Sequence, residues 1–156
     1  MATNPPVKRK AFAYITSGRR ILLLAHPDHP AAGIQVPAGT MRDGEAPRDA
    51  ILRDAFEETG LAGLEFIAML GDVTHDARPW GRNEMHRRWF GHLRVSDSTP
   101  ERWLHWETDP DDAPGERVRF ELFWASLDAG LPDLIAGHDA LLTELRASLD
   151  DPAPGP

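Results

Sequence analysis

The sequence predicts an α/β (α+β) fold, a mixed β-sheet with helices laid against it, on three observations. Runs rich in β-formers lie on both sides of one mid-chain helical stretch, a proline and a glycine bracket that stretch, and a leucine stripe at helical spacing closes the chain. Residues 8–16 alternate and carry Phe12, Tyr14 and Ile15. Ser17-Gly18 is a turn signal and 20–25 a short apolar run, so these segments form a hairpin. Pro27 and Pro30 deny ladder donors to 26–30, which reads as a loop. A short strand is expected at 33–36 and a loop at 37–46. Pro47 suits a first helical turn and Gly60 a C-terminal stop, which bounds the helix. Residues 64–74, 85–95 and 102–106 read as strands, and 107–115 as an acidic loop. In 116–127, Val118, Phe120, Leu122 and Trp124 alternate against polar neighbours, the period of a strand. Leu141, Leu142, Leu145 and Leu149 place a helix over 138–149, and the Pro-rich end is expected to be disordered. Residues 1–150 thus form one expected domain and 151–156 a tail.

The chain has 156 residues, no cysteine and a formal net charge of −8. Without cysteine there is no disulfide or thiolate site. The longest apolar run, 21–25, is far too short to span a bilayer. The first ten residues are basic with no apolar stretch behind them, so no secretory signal is expected and a cytoplasmic location follows by default. The negative charge opposes nucleic acid, whose affinity comes from Lys and Arg on phosphate, so no nucleic-acid partner is expected. It equally opposes a small polyphosphate unless cations or a local basic patch reverse the field.

Asp54, Glu57 and Glu58 stand at i, i+3 and i+4 of the helix, on one face, where like charges weaken it. Ile51, Leu52, Ala55, Phe56 and Thr59 are expected on the opposite, buried side. Oxygen ligands of this kind suit Mg²⁺, Mn²⁺ or Ca²⁺ better than Zn²⁺. The bland alternative is a solvated acidic face.

The stretch 39–61 resembles the box of the Nudix hydrolase family, G-x5-E-x7-R-E-U-x-E-E-x-G-U with U aliphatic. Gly39, Glu45, Arg53, Glu57, Glu58, Gly60 and Leu61 fall on its fixed positions. Asp54 stands where the family has Glu, and Ala55 is smaller than the usual aliphatic residue. Gln35-Val36-Pro37-Ala38 is similar to the strand before the box in many members. The resemblance implies an α/β/α sandwich whose box is a loop–helix–loop. It implies Mg²⁺ or Mn²⁺ bound by Asp54, Glu57, Glu58 and the Gly39 carbonyl, with Arg53 orienting the glutamates and Glu45 in support. Asp54, Glu58 and Arg53 then carry catalysis, Asp54 at a position that serves as general base in some members. The implied activity is hydrolysis of a diphosphate linkage in a nucleoside diphosphate joined to another moiety, a small-molecule nucleotide-type substrate. Dimers are common in the family, which leaves a homodimer open.

Aspartate is one methylene shorter than glutamate, and a misplacement of about 1 Å can cost ~100-fold in a positioned reaction. Glu84, Glu107, Glu116 and Glu121 are alternative sources of a base. The short acid also leaves open a nucleotide-binding or sensing module of the same fold; an RNA-processing role is disfavoured by the charge. Arg78, Trp80, Arg82, His86, Arg87 and Arg88 form a basic stretch with an aromatic in it. Either Arg78, Arg82 and Arg88 meet substrate phosphates and Trp80 stacks on a base or sugar, or this is a solvated loop and an ordinary strand with Trp89, Leu93 and Val95 facing the core. Trp103 and Trp106 could line a pocket, but large aromatics near short strands are more often core, and the core is the expectation here. The histidines lack zinc spacing, and no nucleophile elbow, Walker loop or dinucleotide fingerprint occurs.

Overall fold

Alternation along the first strand sets up the molecule, because its two faces feed two separate cores. The computed structural model describes residues 4–108 and 117–151. β1 (Val7–Ser17) turns into β2 (Arg20–Ala25), the expected hairpin, with Thr16 opposite Ile21 and Ser17 opposite Arg20. Beyond those pairs β3 (Ala38–Thr40) takes over the edge of β1, with Lys10 opposite Thr40 and Phe12 opposite Ala38. On its other edge β1 runs parallel to β5 (Met85–Val95), and β4 (Leu64–Asp76) lies antiparallel outside β5. β7 (Arg117–Ser126) pairs with β2, and β6 (Arg102–Thr108) with β7. The sheet order is β4-β5-β1-β2-β7-β6, with β3 off the path.

Ala11, Ala13 and Ile15 of β1 join Leu22, Leu24, Leu93 and Leu122 under helix α1 (Pro47–Thr59). Phe12 and Tyr14 face the other way, with Ile21, Leu23 and Phe90, and are covered by Leu142 and Leu145 of helix α2 (Leu142–Asp150). One sheet between two helical layers is the expected sandwich. Packing holds α1 in place: burial of Ile51 alone contributes about 1.5–3 kcal/mol, against a few tenths of a kcal/mol per like-charge pair on the helix. Gly60 ends α1 at a left-handed φ of 77°, its N–H donating to Phe56 O.

Several expectations need correction. No strand forms at 33–36; Gln35 makes a single bridge to Leu24, and the strand comes later, in the stretch expected to be loop. Pro37 has no N–H and the Val36 N–H is given to His138 Nδ1, so 36–37 have no donor for a ladder. The last helix starts at Leu142, because Ile135, Gly137 and Asp139 carbonyls are taken by turns. Phe56 is 53% exposed, whereas Asp54 and Glu58 are buried. The rows Ala50-Asp54-Glu58 and Ile51-Ala55-Thr59 both face inward, so two carboxylates lie on the packed side of α1. Trp103 packs against the core, but Trp106 is largely exposed. Glu116, the 109–116 segment and 152–156 lie outside the described residues. No helix among those described is long and apolar enough to cross a membrane.

Candidate active site

The acidic side is built locally, around one arginine. Arg53 Nε and Nη2 donate to the two Glu45 oxygens at 2.8 Å each, and Nη1 donates to Asp54 Oδ1 at 2.8 Å and Glu57 Oε2 at 3.2 Å. Nη2 also reaches Thr40 O at 3.2 Å, tying the loop to the helix. Glu45 is pulled down to about 2, first by its hydrogen bonds from Arg53. Asp54 lies beneath Gly39: a Cβ built on that glycine would come within 2.5 Å of the Asp54 carboxylate. Only glycine lets the backbone approach so closely.

Glu58 is different. It is 7% exposed and accepts a hydrogen bond from Ala38 N at 3.0 Å, and no cationic side chain pairs with it among the described residues. Burial raises its pKa well above the usual carboxylate range, and Glu107, Asp54 and Glu57 push it further the same way. The end of α1 that carries it is pinned by β6, where His105 Nε2 donates to Glu57 O at 2.8 Å and Trp103 Nε1 to Thr59 O at 3.1 Å.

The basic side comes from the sheet. Parallel pairing sets Lys8 beside His86 and Lys10 beside Arg88, and β4 adds His75 beside His86. Lys10 Nζ donates to Thr40 Oγ1 at 2.7 Å. His86 Nδ1 accepts from Arg88 Nε at 3.2 Å, so its Nε2 carries the proton and donates to Glu84 Oε1 at 2.7 Å. Glu84 is further paired with Lys8 at 3.3 Å and Arg82 at 3.9 Å. Burial lowers the pKa of His86 and takes Arg88 down to about 10.

A cavity of about 430 Å³ separates the two sides, with Gly39, Glu58 and Glu107 on one and Lys10, Arg82, His86 and Arg88 on the other. The described acids do not converge as three ligands around one point. They nevertheless fit a hard cation that keeps water or phosphate oxygens in its shell. The Glu58 carboxylate is desolvated among other acids, and the Asp54 carboxylate fills the space a Cβ on Gly39 would take. Glu57, Glu58, Asp54 and the Gly39 carbonyl supply only oxygen.

Of the substrate candidates, Arg82 and Arg88 line the cavity, whereas Arg78 pairs with Asp76 at 2.8 Å on the surface. Trp80 lies outside the lining, its ring 4.9 Å from that of His75. Arg87 pairs with Asp72. Among the described alternative acids, Glu84 is spent on His86 and Lys8 and Glu121 pairs with Arg102, which leaves Glu107 as the one at the cavity. Sequence reasoning missed Lys10, Phe12 and His138. The available signal was parity: Lys8, Lys10, Phe12 and Tyr14 share one face of an alternating strand.

The NUDIX domain model matches residues 6–145. An RNA pyrophosphohydrolase of Cereibacter sphaeroides is 38% identical over 87 residues, covering 49% of this chain and 50% of that protein. Nudix hydrolase 26, chloroplastic, of Arabidopsis thaliana is 34% identical over 76 residues, 48% of this chain and 35% of its own. The matched regions thus span half or less of these relatives. Among solved structures, a MutT NUDIX hydrolase from Burkholderia pseudomallei superimposes with a TM-score of 0.60 at 24% identity, covering 89% of this chain and 98% of that one. An ADP-ribose pyrophosphatase from Streptococcus suis gives 0.56 at 22%, over 92% and 90%. At those identities the structures speak for the fold, and the family model, matched over most of the chain, speaks for descent: the chain belongs to the NUDIX family.

Proposed function

We propose that the chain hydrolyses a diphosphate linkage in a nucleoside diphosphate joined to another moiety, with Mg²⁺ or Mn²⁺ held by Glu58, Glu57, Asp54 and the Gly39 carbonyl. The observation that carries this reading is Glu58, a buried carboxylate whose electrostatic neighbours are Glu107, Asp54 and Glu57. A protein ionises such a group at neutral pH only with a cation beside it. When bound, the ion would neutralise phosphate oxygens and make water a better nucleophile near neutral pH. Arg53 fixes Glu45, Asp54 and Glu57 in one arrangement. Lys10 and Arg82, across the cavity, meet the anionic oxygens of the substrate and hold them equally in the ground state and the transition state. Glu107 stands where it can take a proton from the attacking water.

Glu58→Gln keeps the hydrogen bond from Ala38 and removes the charge. Turnover of ADP-ribose, nucleotide sugars, dinucleoside polyphosphates and nucleoside triphosphates with Mg²⁺ or Mn²⁺ should reveal the substrate class in the wild type and fall at least ~1,000-fold in the variant, as when a preorganised charge is lost. Unchanged turnover would falsify the assignment. The relatives named RNA pyrophosphohydrolase add RNA to that panel, although the charge of −8 weighs against it. Tight nucleotide binding with no turnover, in both the wild type and Asp54→Glu, would make the chain a binding module instead.

A further inference from the structure

The turn of α1 that carries the glutamates is its least anchored part. Ala50, Ile51 and Ala55 bury the helix against the core, and Ala55 is its last buried apolar side chain. After it come Phe56, which is exposed, then Glu57, Glu58 and Thr59. Asp54, Glu57 and Glu58 repel one another along this stretch, so it needs holding and hydrophobic burial does not hold it. The helix also ends here, with its last carbonyls in need of donors. Phe56 O receives the Gly60 N–H at 2.8 Å, whereas Glu57 O and Thr59 O receive side chains from outside the helix.

Those side chains come from one strand. Trp103, His105 and Glu107 alternate onto the same face of β6, each about 6.8 Å from the next. Trp103 Nε1 donates to Thr59 O at 3.1 Å and His105 Nε2 to Glu57 O at 2.8 Å; a carbonyl can only accept, so Nε2 carries the ring proton. The His105 ring also lies against the left-handed Gly60, where an added Cβ would come within 3.1 Å of it. In the ladder His105 is opposite the buried Phe120 of β7, and β7 is paired to β2, so the contact refers the helix end to the sheet. The next residue on that face, Glu107, lines the cavity and is the first of the acids that disfavour ionised Glu58. One strand thus fixes the helix backbone at Glu57 and sets an acid of the cavity a fixed step away.

We propose that His105 is a positioning residue for the divalent cation: through the Glu57 carbonyl it holds the Glu57 and Glu58 carboxylates where the ion needs them. The proposal rests on the metal-dependent reading above, and its test reads binding rather than turnover. Mn²⁺ is titrated into the full chain and the free ion is counted by electron paramagnetic resonance. His105→Phe keeps a ring and loses the donor. It should weaken Mn²⁺ binding about tenfold or more, the usual consequence of losing a group that orients a metal ligand. His105→Gln, with an amide N–H at the same reach, should recover most of that loss. Ile21→Val, a core change on the opposite face of the sheet, should lower the melting temperature and leave Mn²⁺ affinity alone, which separates lost stability from lost position. In the wild type, linkage requires the reverse effect: saturating Mg²⁺ should slow exchange of the His105 Nε2–H with water several-fold, read by nitrogen-15 NMR of the ring. A Gln variant that binds no tighter than Phe overturns the proposal, as does an exchange rate indifferent to Mg²⁺. Wild-type binding that His105→Phe leaves intact overturns this proposal alone; a wild type that binds no Mn²⁺ overturns the metal-dependent reading with it.

Discussion

The two sides of the cavity handle charge in opposite ways. On the sheet side, cations and anions are mixed at close range: Glu84 is bonded by His86 and Lys8, with Arg82 near it, and those bonds outweigh burial and hold its pKa below normal. On the helix side, one arginine serves Glu45, Asp54 and Glu57, and Glu58 is left with a backbone amide. The first side sets Lys8, Lys10, Arg82 and Arg88 against the carboxylate of Glu84, an excess of positive charge that suits an anion. The second carries an uncompensated demand for positive charge. A cation at Glu58 and an anion spanning the cavity would each make the other's binding more favourable.

Gly39→Ala breaks the helix side most directly. The new Cβ would sit 2.5 Å from the Asp54 carboxylate, so either the loop or the acid must move by about an ångström. A displacement of that size costs ~100-fold in a positioned reaction. Initial rates at saturating Mg²⁺ should fall by that factor or more with the fold retained in circular dichroism; a rate near wild type would mean that Asp54 and Gly39 do not act together. Lys10→Met tests the sheet side with a smaller effect. It removes the charge and keeps most of the volume, so KM should rise about tenfold with kcat nearly unchanged, the pattern of lost uniform binding. Steady-state kinetics would contradict this if kcat fell instead.

The same contrast decides what the sequence could reveal. The helix side spans 39–58, and its key relations are i,i+1, i,i+4 and i,i+8 contacts around Arg53, so a motif contains it whole. Its one error was rotational: Asp54 and Glu58 face the sheet with Ala50, and Phe56 faces water, because the helix packs its carboxylates beneath a loop that no helical periodicity describes. The sheet side depends on β1 running parallel to β5, which places Lys10 beside Arg88. Neither strand encodes that partner. Of the basic stretch, Arg82 and Arg88 reach the cavity and Arg78 does not, a difference set by where β4 ends. Helical spacing starts the last helix at His138, whereas the residue is held at the cavity by Val36 and Tyr14, over a hundred residues upstream.

Glu58 also gives the comparison a thermodynamic form. Its pKa is raised in the fold, so above the ordinary carboxylate value the native state holds a proton that the unfolded chain has lost. Stability of the metal-free protein should therefore fall as pH rises from that value through the elevated one. Glu45 has the opposite sign: its stabilisation is fully present above the ordinary value and is lost as pH falls toward about 2. The two windows lie on different sides of the ordinary value, so they separate. Melting curves in EDTA from pH 5 to 8 should show wild type declining relative to Glu58→Gln by a few degrees, on the order of 1 kcal/mol for a domain of this size. Added Mg²⁺ should raise the wild type alone, more at higher pH. Parallel curves for the two proteins would mean that Glu58 carries no such burden.

The smallest expected effect tests where the sheet side ends. Arg78 lies in the short turn after β4, and both it and Asp76 are exposed. Its hydrogen bonds to that carboxylate are local, two residues apart, and hold the guanidinium against its own turn. An exposed pair of this kind is worth about 0–1 kcal/mol and is screened by salt. Nothing in the register brings Arg78 to the row of Lys10 and Arg88; the path from it to the cavity runs through Trp80, His75 and His86, which are in ring contact but carry no fixed positive charge. Arg78→Ala should thus change kcat/KM by less than roughly twofold, the scale of a rim charge. Arg82→Ala, four positions later and on the lining, should raise KM several-fold and make it more sensitive to ionic strength. If the two variants behaved alike, the anion would be held by the diffuse field of the loop, and the ordered row on the sheet would lose its claim to the substrate.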